Sequence, residues 1–198
     1  STCAHGGFVL LSDNIEKAAD WEYTRKMSTP EGDRTWQVHT LPIPVEAQDV
    51  FLVIGNSGVH APTSQQVAKV AKAMSQEPHR MREIETIGVI ARRGIEALLK
   101  GDFEAVGRAM SENHLMLRGL GVSCHELENL IRAAAPTSLG VKLTGAGGGG
   151  CMVALTRSPK QTSEAIELAG GRTLISKLGN TGVRIESHDG LPFWKPVA

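Results

Sequence analysis

The chain has 198 residues with 21 basic and 21 acidic side chains, and only 4% of it is aromatic. A balanced charge with so few aromatics gives neither an electrostatic footprint for nucleic acid nor a stacking platform, so a small-molecule partner is expected. The length is enough for a substantial core, while no apolar run reaches the length of a membrane span and no leader-like start is visible.

The three cysteines, Cys3, Cys124 and Cys151, are odd in number and far apart. That spacing suits neither a disulfide framework nor a zinc site, and it predicts a reducing, cytoplasmic setting.

In chain order, Phe8 to Leu11 is a short apolar strand and Trp36 to Thr40 alternates as a half-buried strand does. Between them Asp13 to Arg34 is polar, with Pro30-Glu31-Gly32-Asp33 read as a turn. Phe51 to Ile54 is a continuous apolar run, predicted as a strand buried on both faces. Gly55 to Ala61 reads as a loop, and Pro62 suits the first position of a helix whose apolar face is Val67, Val70, Ala71 and Met74. Thr63 then falls in a first turn, where its hydroxyl either faces an anion at the positive helix end or caps the helix.

Ile84, Ile87, Ala91, Ile95 and Leu98 recur at helical spacing up to Gly101. The next helix starts at Asp102 and is predicted to bury Phe103, Val106, Met110 and Leu117, with Asn113 on or beside that stripe and His114 next to it. A histidine so placed reads first as a satisfied structural residue and second as a pocket wall. Gly121 ends this helix, and Ser123 with Glu126 reads as a capping box for a helix carrying Leu127, Leu130, Ile131 and Ala134.

Lys142-Leu143-Thr144-Gly145-Ala146-Gly147-Gly148-Gly149-Gly150-Cys151 follows, with five glycines in six positions. Such a run permits positive φ and leaves amides free of Cβ obstruction, so it predicts an anion-binding concavity, phosphate first. The alternative is a plain hairpin loop. Cys151 to Leu155 has a strand pattern, which excludes the dinucleotide fingerprint, and no lysine follows at P-loop spacing. On this reading Gly147→Val should lower turnover by at least about a hundredfold and leave the unfolding midpoint near the parent's. Ser158-Pro159 opens a last helix that Gly170-Gly171 stops, and Thr173 to Lys177 and Val183 to Ser187 flank a predicted turn at Gly179-Asn180-Thr181-Gly182. Together these elements predict an α+β fold in which an antiparallel sheet is covered by helices.

The glycine stretch resembles the third signature motif of the GHMP kinases. Glu112-Asn113-His114-Leu115-Met116-Leu117 with Leu120-Gly121-Val122-Ser123, and Gly55-Asn56-Ser57-Gly58-Val59 with Thr63 and Val67, are similar to two further segments found in the mevalonate kinases of that family. Gly182-Val183-Arg184-Ile185-Glu186 extends the resemblance. Departures are His60-Ala61-Pro62, where the family often has a basic residue or proline, and Cys124, where histidine is frequent.

The resemblance implies a ferredoxin-like GHMP kinase C-terminal domain over residues 1–198, with residues 1–55 including strands that complete an N-terminal part. It implies ATP and Mg²⁺ as cofactors, mevalonate as the partner, no nucleic acid or membrane, and a homodimer as an option. Thr144, Gly145, Ala146, Gly147, Gly148, Gly149 and Gly150 would meet the nucleotide phosphates, and Thr63 would assist transfer. Asn113, His114, Gly121, Val122 and Ser123 would line the substrate pocket. The family's catalytic aspartate and metal ligands match no residue here and are expected before Ser1, so the chain alone is expected to be inactive.

Overall fold

The computed structural model describes residues 5–29, 32–42, 44–179 and 183. The predicted strand beyond Val183, the turn preceding it beyond Gly179, and Pro30-Glu31 of the first turn lie outside them. The chain divides into two compact units, Ser1–Pro42 with Gly179–Ala198, and Ile43–Leu178.

In the first unit β1 (Phe8–Ser12), β2 (Asp20–Thr29) and β3 (Gly32–Leu41) form an antiparallel sheet in the order β1-β3-β2. The polar stretch between Asp13 and Arg34 is therefore largely strand. Nine of the ten residues of β2 are exposed, so it has no buried face to impose the alternation that marks a strand. Cross-strand side chains help to hold it instead: Trp21 Nε1 and Thr24 Oγ1 both donate to Gln37 Oε1, at 2.9 and 2.8 Å.

The second unit holds β4 (Phe51–Asn56), α1 (Thr63–Gln76), α2 (Met81–Leu99), α3 (Phe103–Gly119), α4 (His125–Ala134), β5 (Gly140–Thr144), β6 (Cys151–Thr156), α5 (Pro159–Leu168) and β7 (Arg172–Lys177). Its sheet is antiparallel throughout, in the order β5-β6-β4-β7. Counted from β4, the strands lie second, third, first, fourth, which is the ferredoxin-like arrangement. Val53, Val141, Leu143, Met152 and Ala154 of the sheet bury against Leu127, Leu130, Ile131 and Ala134 of α4 and Ile166 of α5. Each such Val, Leu, Ile or Met side chain contributes roughly 1.5–3 kcal/mol by leaving water.

Helix α3 runs along the edge of the sheet instead of over it. Gly107 and Gly140 meet there: a Cβ on Gly140 would lie 1.9 Å from the Gly107 carbonyl oxygen. At this distance α3 can satisfy the outward amides of β5. Ser111 Oγ accepts from Val141 N at 3.2 Å and His114 Nδ1 from Leu143 N at 3.4 Å, so this part of the edge offers no template for another strand.

Three local expectations change. Helix α1 buries none of its residues and Val67 is exposed; a tie to the neighbouring helix end comes from Lys69 Nζ, which donates to Gly121 O at 2.5 Å. The buried stripe of α2 is Ile90, Ala97 and Leu98, while Ile84 is exposed. Helix α4 begins at His125, one residue later than a capping box at Ser123 requires, and Ser123 Oγ donates to Glu128 Oε1 at 2.5 Å. Asp102 is a true cap, accepting from Ala105 N at 2.9 Å. No helix among the described residues is long and apolar enough to cross a membrane.

Candidate functional site

Residues 145–150 connect β5 to β6 at one end of the sheet. All five glycines take positive φ, from 71° at Gly148 to 156° at Gly149. The loop is not a row of wholly free amides, because two of them fix its shape. Gly148 N donates to Val122 O at 2.7 Å and Gly150 N to Val59 O at 2.8 Å, while Ser57 donates to Gly150 O through both its amide and its hydroxyl. The amides of Gly145, Ala146, Gly147 and Gly149 donate to no described residue. A hairpin loop and an anion concavity are thus the same structure, braced on two sides.

Over these amides lies a cavity of about 480 Å³. One wall is Thr144 to Gly147 with Gly149 and Gly150, a second is the turn through Gly58 to Ala61, and Thr63 stands at the N-terminus of α1. The cap position of α1 is Pro62, no side chain caps the helix, and its first turn holds no acidic residue. The capping alternative for Thr63 therefore finds no bond, and its hydroxyl and the positive end of the helix dipole share the cavity. Gly148 does not line it: its amide is committed to Val122, and a Cβ there would meet Gln66.

Arg172, the first residue of β7, also lines this cavity. It pairs in register with Asn56 at the end of β4, and its exposed side chain has no ion pair or hydrogen bond among the described residues. Sequence reading missed it, the only signal being a lone cation directly after Gly170-Gly171. Among the described residues the lining contains no carboxylate. These donors fit a polyphosphate; they do not by themselves fit Mg²⁺, which prefers oxygen ligands such as carboxylates.

Of the residues expected at a substrate pocket, Asn113 lines a cavity. That second cavity, also about 480 Å³, is walled by Ile87, Ile90, Val106, Met110 and Leu117, and shares Thr144 and Gly145 with the first. Lys142 lines it too, donating to Asn113 Oδ1; burial holds the ammonium pKa below its usual value.

His114, Gly121, Val122 and Ser123 line neither cavity. His114 is buried behind β5 with both ring nitrogens engaged. Nδ1 accepts from Leu143 N, so Nε2 carries the proton donated to Glu128 Oε1 at 3.0 Å. Burial pulls the His114 pKa below 6.5, against the opposing pull of Glu128. Burial pushes the Glu128 carboxyl up, but the hydrogen bond from Ser123, with His114 and Arg118 nearby, brings it below its usual value. Val122 braces the glycine loop through its carbonyl, and Gly121 turns the chain out of α3 at φ 74°.

The family model described as "GHMP kinases C terminal" matches residues 95–170. The chain is 37% identical over 153 residues to a mevalonate kinase of Thermococcus gammatolerans, covering 72% of this chain and 45% of that protein. It is 36% identical over 143 residues to one from Pyrococcus furiosus, covering 68% and 43%. Among solved structures it is similar to the mevalonate kinase of L. major in complex with R-mevalonate, at 32% identity and a TM-score of 0.59, over 73% of this chain and 43% of that one. The chain thus spans less than half the length of the curated relatives it matches. With the ferredoxin-like sheet and the braced glycine loop, these similarities establish that the chain belongs to the GHMP kinases, whose C-terminal domain it contains.

Proposed function

We propose that this chain is the C-terminal portion of a mevalonate kinase, acting in ATP-dependent phosphorylation of mevalonate to 5-phosphomevalonate in isoprenoid biosynthesis. The observation that carries this reading is a single cavity lined by Thr63 and by four loop residues whose amides are uncommitted, with no carboxylate among its described lining residues.

ATP, when bound, supplies the electrophilic γ-phosphoryl group. For such a transfer the protein chiefly positions groups and offsets charge on the phosphoryl oxygens. Here the amides of Gly145, Ala146, Gly147 and Gly149 would receive that charge, and Thr63 would donate to an oxygen from the opposite wall. Mevalonate is a branched hydroxy acid, and the neighbouring cavity offers an apolar wall with Asn113 and Lys142. Support for the choice within the family comes from the relatives named mevalonate kinase. A cytoplasmic setting accords with the free thiols of Cys124 and Cys151.

The test is ADP release by the complete gene product with ATP and Mg²⁺, comparing mevalonate, 5-phosphomevalonate and galactose. Mevalonate should be preferred by at least about a hundredfold in kcat/KM, or about 3 kcal/mol. Preference for 5-phosphomevalonate or galactose would move the assignment to another kinase of the family, and no turnover with any of them would leave a binding module.

A further inference from the structure

Arg172 is the one guanidinium among the described residues that line the cavity above the glycine loop, and three features make it more than a bystander. It is exposed and without a partner among the described residues, so binding an anion breaks no existing ion pair. It is set on a strand whose first residue is held in register against Asn56, which fixes where its side chain begins. The described residues lining its cavity include no carboxylate to compete for it.

We propose that Arg172 binds the polyphosphate of the nucleotide, closing from β7 a site whose other donors are the loop amides and Thr63. The proposal rests on reading this cavity as a phosphate site, though not on mevalonate being the acceptor. Its chemistry is specific to arginine: the planar fork can give two parallel N–H donors to phosphoryl oxygens, which a lysine ammonium meets only as a point charge.

The experiment is calorimetric titration of the complete gene product with tripolyphosphate, ATP and AMP, using the parent, Arg172→Gln and Arg172→Lys. For Arg172→Gln, tripolyphosphate and ATP should bind at least about tenfold more weakly, AMP within about twofold of the parent, and the unfolding midpoint should stay unchanged because the side chain is exposed. Arg172→Lys should recover part of the lost affinity. Raising salt from low to physiological strength should weaken tripolyphosphate less in the Gln variant than in the parent.

Equal tripolyphosphate affinity in the parent and Arg172→Gln would overturn the proposal, as would an equal loss for AMP. Absence of tripolyphosphate binding by the parent would overturn it together with the phosphate site. Failure of mevalonate turnover with these binding differences intact would instead count against the choice of acceptor alone.

Discussion

At Gly147 a Cβ would lie 2.0 Å from the Val122 carbonyl oxygen, in a backbone conformation of φ 83°. The expectation that Gly147→Val spares stability therefore does not hold: any side chain there strains the loop against its own brace. Gly147→Ala should lower stability by roughly 1–3 kcal/mol, seen as a depressed unfolding midpoint, so lost turnover at this position would not isolate the phosphates. Gly145 is the cleaner probe, since its φ is 80° but nothing lies within 4 Å of a built Cβ. Gly145→Ala should cost about 1–2 kcal/mol of backbone strain and weaken tripolyphosphate several-fold. A Gly145→Ala variant with parental anion affinity would show that this amide faces no ligand. Thr63 differs again. With no cap bond to lose, Thr63→Ala should reduce kcat and leave the unfolding midpoint near the parent's, and Thr63→Ser should retain activity. A clear midpoint shift with kcat unchanged would return the hydroxyl to a structural role.

Between α3 and β5 a buried histidine does the work of a missing strand. His114 accepts from Leu143 N only while Nδ1 is bare, and its folded pKa is held below 6.5. The folded state thus binds fewer protons than the unfolded one between those two values, and stability rises with pH across that window. It is fully present above about 6.5 and is lost as pH falls toward the folded value. Glu128, also depressed, acts in the same direction at lower pH. The unfolding midpoint should therefore drop on acidification from pH 7.5 to 5.5, and His114→Gln should flatten that drop; an equally steep profile in the variant would place the sensitivity elsewhere. Elements of this unit were legible where apolar residues run together, as in β4 and β6, or where chemistry is local, as in the Asp102 cap. Strand β2 was not, because its exposed residues carry no period. The Ser123 bond was not, because Glu128 lies two residues beyond the motif that sequence reading looks for. In the site, the loop and Thr63 stand in local motifs, whereas Arg172 joins them only through the β4–β7 pairing, a relation of distant segments that no short pattern encodes.

All the donors assigned to the phosphates, Thr63, the glycine loop and Arg172, belong to the single compact unit Ile43–Leu178. Anion binding should therefore be a property of this 198-residue chain by itself. Turnover asks for more, since the acceptor hydroxyl must lose a proton and the charge of the transferring group must be met by metal. Among the described residues the cavity lining offers no carboxylate for either purpose, and no cluster of three metal-ligating side chains occurs. One basic side chain of suitable type does line it, His60, on the exposed turn before α1. The expected outcome for the purified 198-residue chain is thus tripolyphosphate binding without mevalonate-dependent ADP release, measured with ATP and Mg²⁺ over several hours. Sustained ADP release from a preparation free of other kinases would contradict it, and His60→Gln would then locate the cause. Loss of that activity in the variant would make His60 the proton acceptor. Its persistence would require a base that reaches the cavity from outside the residues lining it.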